Sequence, residues 1–161
     1  MTGTSADRRL ALIAFISLAA VAAALVSQHA FGMEPCPWCV LQRTIFVCIA
    51  LAAALGLVWR SAAGRALAAT LALLLALAGI ASALWQHFYA AVSASCNLTL
   101  ADKILNALRL PSLLPDVFSP RASCADAAVD LFGLPYEFWS LALFVLLGAL
   151  AVSVLATRSR R

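Results

Sequence analysis

The sequence predicts an all-α integral membrane protein, a four-helix bundle with a long extracytoplasmic loop between helices 3 and 4. Three observations lead to this fold class. The 161 residues are 65% hydrophobic and 11% charged, whereas soluble domains contain about 45–50% apolar and about 25% charged residues. Four apolar stretches are each long enough to cross a bilayer, which takes about 20 residues. Arginine is concentrated in the segments that four spans would place on one side of the membrane.

The four predicted spans differ from the rest of the chain in being almost free of charge. They cover residues 10–31, 40–59, 66–88 and 138–156. Apart from Arg43 they contain no Lys, Arg, Asp or Glu. Lipid offers no hydrogen-bond partner to the backbone, so each stretch is predicted to be a helix. The first could instead be a cleaved signal peptide, but its apolar run is too long for one. The chain, 1–161, is therefore treated as a single membrane domain with outer loops at 32–39 and 89–137.

The distribution of basic residues predicts the orientation. One side of a four-span chain receives Arg8, Arg9, Arg60, Arg65, Arg158, Arg160 and Arg161. The other side receives Lys103, Arg109 and Arg121, with Arg43 near that border. Segments rich in Lys and Arg face the cytoplasm, so both termini are predicted to be cytoplasmic and the long loop to lie on the opposite, outer side. The net charge of +4 is then a topology signal and gives no evidence for nucleic-acid binding.

Four of the five cysteines fall on the predicted outer side. Cys36 and Cys39 form a C-P-W-C motif at the start of the second helix, and Cys96 and Cys124 lie in the long loop. Disulfides form and persist on that side of a bacterial membrane. A helix start presents unpaired N–H groups that stabilise a thiolate, the species that attacks disulfides. Cys48, alone within the second helix, is interpreted as a small buried apolar residue.

Two further residues are candidates for binding at the same membrane depth. Arg43 follows Cys39 by four positions, which places both on one helix face. An intramembrane cation is costly and is a functional hypothesis by default, although an arginine this close to the surface can also extend to the headgroups. His87 ends the third helix and can donate or relay protons near neutral pH. An interfacial histidine without function is the alternative.

The long loop contains a segment with helical spacing of apolar residues. Residues 100–110 alternate such positions with Asp102, Lys103, Asn106 and Arg109. This pattern is typical of an amphipathic helix, which can lie on the membrane surface or pack on the end of the bundle.

The motif Cys36-Pro-Trp-Cys39 followed by Arg43, together with Cys96 and Cys124 in the long outer loop, resembles the DsbB family of disulfide bond formation proteins. The resemblance covers nearly the whole chain, including four spans, both termini inside, cysteine order and loop lengths. It departs at Gln86, where some members have an acid, so a proton-handling role at that position is in doubt.

The resemblance implies a function and a set of roles. The family's role is to reoxidise a periplasmic DsbA-like thiol oxidase and to pass the electrons to a membrane quinone, either ubiquinone or menaquinone. Cys96–Cys124 would be the disulfide that the partner attacks, with Cys96 forming the mixed disulfide. Cys36–Cys39 would receive the electrons next, with Cys39 facing the quinone. Arg43 would help to bind the quinone, and His87 matches a position near it in some members.

Three other functions fit part of the pattern. A vitamin K epoxide reductase-like enzyme is also a small thiol–quinone bundle, but there the loop cysteines precede the C-x-x-C pair. A four-cysteine zinc site lacks a second close C-x-x-C pair, and thiolates in an oxidising compartment usually oxidise, so no metal site is predicted. In a redox-inert membrane scaffold, both pairs would be structural disulfides.

Overall fold

The computed structural model describes residues 3–92 and 99–159. The four long helices are α1 (Gly3–Phe31), α2 (Pro37–Val58), α3 (Ala62–Trp85) and α7 (Tyr136–Ser159). A π-helical turn, Gln86–Ala90, continues α3. The outer loop contains α4 (Leu100–Ala107), α5 (Leu110–Leu113), α6 (Pro115–Phe118) and a hairpin of β1 (Asp130–Leu131) and β2 (Leu134–Pro135). Within these described residues, four helices are long and apolar enough to cross a membrane, which confirms the predicted fold class.

Each of the four long helices begins before the residue that hydropathy predicts, and capping explains two of these earlier starts. Cys36 is the N-cap of α2, and Pro37 occupies the first turn, where its missing N–H costs nothing. Ser61 caps α3 by accepting a hydrogen bond of 2.9 Å from Gly64 N. Such residues are too polar or too irregular to register as part of an apolar span, yet they satisfy the free N–H groups of the first turn.

Small residues allow the helices to pack closely. The face of α3 that is buried in the bundle consists largely of alanine: Ala68, Ala69, Ala72, Ala76 and Ala83. Close backbone approach through small residues is a common mode of helix association in lipid. Phe46 of α2 stacks on Phe144 of α7 with ring centroids 4.1 Å apart, and Phe144 in turn lies against Gly79 of α3. α2 packs between α1 and α3, and most of its residues are buried.

One end of the bundle joins three segments through arginine. Arg65, after the α2–α3 turn, pairs with Asp7 of α1 at 3.3 Å. Arg9 of α1 donates to the carbonyl of Ser153 in α7. The start of α1, the turn between α2 and α3 and the end of α7 therefore lie at the same end of the bundle, opposite the outer loops.

The predicted amphipathic helix of the long loop forms and packs on the other end of the bundle. α4 begins with a capping box in which Thr99 and Asp102 each bond the other's backbone N–H. Its buried residue Leu105 contacts Val40 and Phe118, while Leu100 is 62% exposed. One face of α4 thus covers the end of α2, and the opposite face leaves leucine uncovered.

Candidate functional site

Cys36 and Cys39 lie at the outer end of α2. Cys36 Sγ accepts a hydrogen bond of 3.3 Å from the backbone N–H of Cys39 and so caps the helix. The two sulfur atoms are 2.8 Å apart, with both cysteines in the thiol form. The C-x-x-C spacing therefore places both sulfurs at the N-terminus of α2, where the helix dipole is positive.

Cys124 joins this pair from the long loop. Pro35 O accepts a hydrogen bond of 2.9 Å from the backbone N–H of Arg121, which holds the two outer loops together just before Cys36 and Cys124. The side chain of Cys124 packs in the same buried cluster as Cys36, close enough for the two thiols to interact. Burial raises the pKa of the Cys36 thiol, and the hydrogen bonds to Cys124 and Cys39 raise it further. Cys124, Cys36 and Cys39 thus form a continuous row of sulfurs.

Cys96, the fourth predicted cysteine, lies outside the described residues. Cys48 was expected to be buried, and this expectation is wrong because its position on α2 is exposed. It lies on the outside of the bundle, within a membrane-spanning segment.

A cavity of about 290 Å³ opens beside Cys39. Its walls come from α1, α2, the end of α3, the loop after Cys124 and the start of α7. The polar groups among its lining residues are Ser27, Glu34, Cys39, Gln42, Arg43, Gln86, Tyr136, Glu137 and Ser140. The remaining lining is mostly apolar, including Phe46 and Leu143. An apolar cavity with a few converging polar groups is the usual form of a ligand site.

Arg43 reaches into this cavity and does not extend to the surface, since it is only 4% exposed. Its Nη1 donates to Gln28 Oε1 at 3.0 Å and to Val117 O. Its Nε is buried and has no hydrogen-bond partner among the described residues. A buried donor of this kind costs free energy unless a further group binds it. The guanidinium is therefore positioned by the protein with one donor in reserve.

Two glutamines complete the polar wall and a third holds Arg43, and sequence analysis missed these roles. Gln42 Nε2 donates to Gln86 Oε1 at 2.8 Å, and Gln86 Nε2 donates to Cys39 Sγ at 3.3 Å. Gln28, which holds Arg43, is the third. All three are nearly fully buried inside apolar helices. Polar side chains are costly in such segments, and that cost is the signal that could have identified them.

His87 directly follows Gln86 in the chain, but its side chain faces α7. Its Nδ1 is 2.7 Å from Glu137 Oε1, and its ring meets those of Phe88 and Phe138 edge-on. Glu137 lines the cavity, whereas His87 is not among the described residues that do. The structure thus brings Cys36, Cys39, Cys124 and Arg43 together directly and connects His87 to the cavity through Glu137.

Comparison with known proteins identifies relatives along nearly the whole chain. The family model described as "Disulfide bond formation protein DsbB" matches residues 6–154. "Disulfide bond formation protein B" of Burkholderia pseudomallei (strain K96243) is 35% identical over 156 residues, 95% of this chain and 92% of that protein. "Disulfide bond formation protein B 1" of Pseudomonas savastanoi pv. phaseolicola is 36% identical over 156 residues, 96% and 91% of the two chains.

The described residues contain four candidate spans and a cluster of cysteines at one end; together with the family match they define a multi-pass membrane protein of the disulfide oxidoreductase class. Within that class, the chain belongs to the DsbB family of disulfide bond formation proteins.

Proposed function

We propose that this protein reoxidises a periplasmic DsbA-like dithiol protein and passes the electrons, through two cysteine pairs, to a membrane quinone, either ubiquinone or menaquinone. The observation that carries the proposal is the row of sulfurs from Cys124 through Cys36 to Cys39, which ends at a cavity with a buried arginine. A disulfide-stabilised scaffold would need neither the contact between pairs nor the cavity.

The first exchange takes place in the long loop. A partner thiolate attacks the Cys96 sulfur of a Cys96–Cys124 disulfide, forms a mixed disulfide and releases Cys124 as a thiolate. The partner's second thiolate then attacks the partner's first sulfur, which is bound to Cys96 in the mixed disulfide. This step closes the partner's disulfide and releases Cys96. The partner has lost two electrons and two protons, and both loop cysteines are reduced.

The second exchange follows the observed contact. Cys124 attacks the Cys36 sulfur of a Cys36–Cys39 disulfide, and Cys39 leaves as a thiolate. Cys96 then attacks Cys124 and releases Cys36, which restores the loop disulfide and leaves Cys36 and Cys39 reduced. Cys36 is fully buried, but it contacts Cys124. It is therefore the sulfur of this pair that Cys124 can attack.

The cavity residues fit a quinone headgroup. A bound quinone supplies the two-electron acceptor chemistry and carries two carbonyl oxygens that need hydrogen-bond donors. Arg43 lines the cavity and its Nε has no partner among the described residues, and its charge would stabilise the negative charge that develops on an oxygen. Gln86 lies on the same wall and orients Cys39 Sγ. Phe46 and Leu143 provide the apolar surface. These residues would hold the ring beside Cys39.

The proposed location is the bacterial inner membrane, with the cysteines at the periplasmic face and both termini in the cytoplasm. The arginine distribution supports it, as does the clustering of both chain ends at the bundle end opposite the cysteines.

The test is a reconstitution of the purified protein with a reduced DsbA-like partner and a short-chain ubiquinone or menaquinone analogue. We expect catalytic loss of partner thiols with the wild type, and none with Cys39→Ser or Cys96→Ser. Cys48→Ser is the matched control, since Cys48 faces outward within the span, and it should retain full turnover. Persistent turnover in either relay variant would reject the assigned electron route.

A further inference from the structure

Glu137 is a buried carboxyl group for which the electron route has no use. It lies in the first turn of α7 and is only 6% exposed. Its side chain lines the cavity beside Cys39, close enough to interact with that sulfur electrostatically. An unpaired carboxylate in such surroundings would be costly. His87 offsets this cost by contacting Glu137 Oε1 through Nδ1 at 2.7 Å.

The π-helical turn at the end of α3 supports this contact. Such turns insert an extra residue into a helix and often occur at functional sites. Within this one, Gln86 faces α2 and bonds Cys39, while His87 faces α7 and bonds Glu137. Two adjacent residues therefore serve opposite sides of the same site.

His87 also connects the cavity to the outside. Its side chain is 33% exposed, whereas that of Glu137 is only 7% exposed. It lies at the outer end of the span, in a group of exposed aromatic residues, Trp85, Phe88 and Tyr89, as is typical of the membrane–water interface. One partner of the pair is thus partly exposed near the end of the span, while the other lines the cavity.

We propose that His87 and Glu137 form a proton route from the outer aqueous face into the cavity beside Cys39. The proposal rests on the proposed function, because reducing a quinone to a quinol takes up two protons with the two electrons. His87 takes a proton from outer water and shares it through Nδ1 with Glu137 Oε1. Glu137 then delivers that proton into the cavity and is reloaded through His87.

Protons and electrons balance along this route. The partner dithiol releases two protons to the outer face as its disulfide forms, and it gives two electrons to the sulfurs. His87 takes up two protons from the same face, one per loading of the pair. Consequently, no proton has to cross the membrane.

Other titratable groups also face the cavity and must be separated from the pair. Glu34 comes from the first outer loop, Cys39 and Arg43 from α2, and Tyr136 from α7. The residues of α1 that line the cavity do not titrate: Ala20, Val21, Ala23, Ala24 and Ser27. A change in pH dependence can therefore be attributed to the pair only if substitution of either member produces it.

The main experiment compares Glu137→Gln, which keeps the size but cannot carry the proton, with His87→Gln. Quinone-coupled turnover should fall by about a hundredfold or more in both, the low end for loss of a positioned acid or base. The pH dependence of turnover should differ from that of the wild type in both variants. Asp130→Asn removes an exposed outer-loop carboxylate and should change neither quantity. Wild-type turnover and pH profile in Glu137→Gln would overturn the proton route.

Two quinone-free measurements separate the outcomes. Pre-oxidised Glu137→Gln should oxidise one equivalent of reduced partner at the wild-type rate, which shows that the variant folds and exchanges disulfides. Infrared spectra of the quinone-free protein should show the Glu137 carboxyl band changing its frequency in His87→Gln, because the contact through Nδ1 is lost; an unchanged band would reject coupling of the pair. A wild type that exchanges disulfides but reduces no quinone would reject the proposed function, and the proton route with it.

Discussion

Burial favours the neutral form of the Cys36 thiol. Its sulfur is fully enclosed, and both burial and the contacts with Cys124 and Cys39 raise its pKa. A raised pKa favours the neutral thiol, so the stabilisation is complete below the ordinary thiol pKa and is lost as pH rises beyond it. In the reduced protein, Cys36 therefore remains a thiol through neutral pH and becomes a nucleophile only when a neighbour removes its proton.

Alkylation of the reduced protein by iodoacetamide checks this property. Since only the thiolate reacts, modification of Cys36 at pH 8 should be roughly tenfold or more slower in the folded protein than in the detergent-denatured chain. Burial also restricts access, so the decisive quantity is the pH midpoint of the reaction, followed by mass spectrometry. A midpoint at the ordinary thiol value would show that access alone protects Cys36.

Arg43 illustrates how a single side chain combines structural and binding roles. Arg43→Lys retains the charge but loses the planar fork that meets Gln28 and Val117. Loss of one charged hydrogen bond costs about 1.5–3 kcal/mol, or roughly a 10- to 100-fold change in affinity. The quinone concentration for half-maximal turnover should rise by about that factor, while quinone-free exchange with the partner stays unchanged. Arg121→Lys, at an exposed ion pair, is the control; an unaltered quinone dependence in Arg43→Lys would remove Arg43 from the binding site.

At the level of helices, a glycine determines how closely α3 approaches α7. A Cβ on Gly79 would lie 2.4 Å from the ring of Phe144, which itself stacks on Phe46. Gly79→Ala should therefore destabilise the bundle by about 1–3 kcal/mol through overpacking, despite the better helix propensity of alanine. At Gly148 an added Cβ meets only ordinary contacts at 3.8 Å, so Gly148→Ala should be neutral or slightly stabilising. Thermal unfolding in detergent measures both, and equal midpoints would contradict this account of the packing.

The long helices could be predicted from sequence because hydropathy sums over about 20 residues, and one polar residue hardly changes the sum. The hydrogen bonds of the site depend instead on how each helix is rotated. Gln28 stands near the end of the first apolar stretch with no motif around it, yet it holds Arg43. Glu137 shows no motif at all, and its role emerges only when α7 is packed against His87.

The cysteine site shows the same division. The C-x-x-C pair could be located from its local spacing, since Cys36 is itself the helix cap. The contact of Cys36 with Cys124 joins segments far apart in sequence through the hydrogen bond from Arg121 N to Pro35 O. No local pattern encodes that bond, so sequence alone left the order of contact between the two pairs to the family resemblance.

The molecule as a whole separates two kinds of chemistry between its ends. Sulfur, the cavity and the His87–Glu137 pair lie at the end with the long loop. The opposite end is fastened by arginine pairs and hydrogen bonds between the start of α1, the α2–α3 turn and α7. In the proposed function, electrons and protons therefore enter and are used at one face, and most of the transmembrane length of the bundle serves to hold that face at a fixed depth.

This polarity predicts the outcome of reporter fusions. Arg60 and Arg65 flank the turn at the fastened end, with further arginines near both termini, and basic segments are retained in the cytoplasm. Green fluorescent protein fused after Arg161 should therefore fluoresce, and alkaline phosphatase fused there should be inactive. Phosphatase inserted after the exposed Leu113 of the outer loop should be active. Active phosphatase at the C-terminus would place the cysteines in the reducing cytoplasm, where the proposed disulfide relay could not operate.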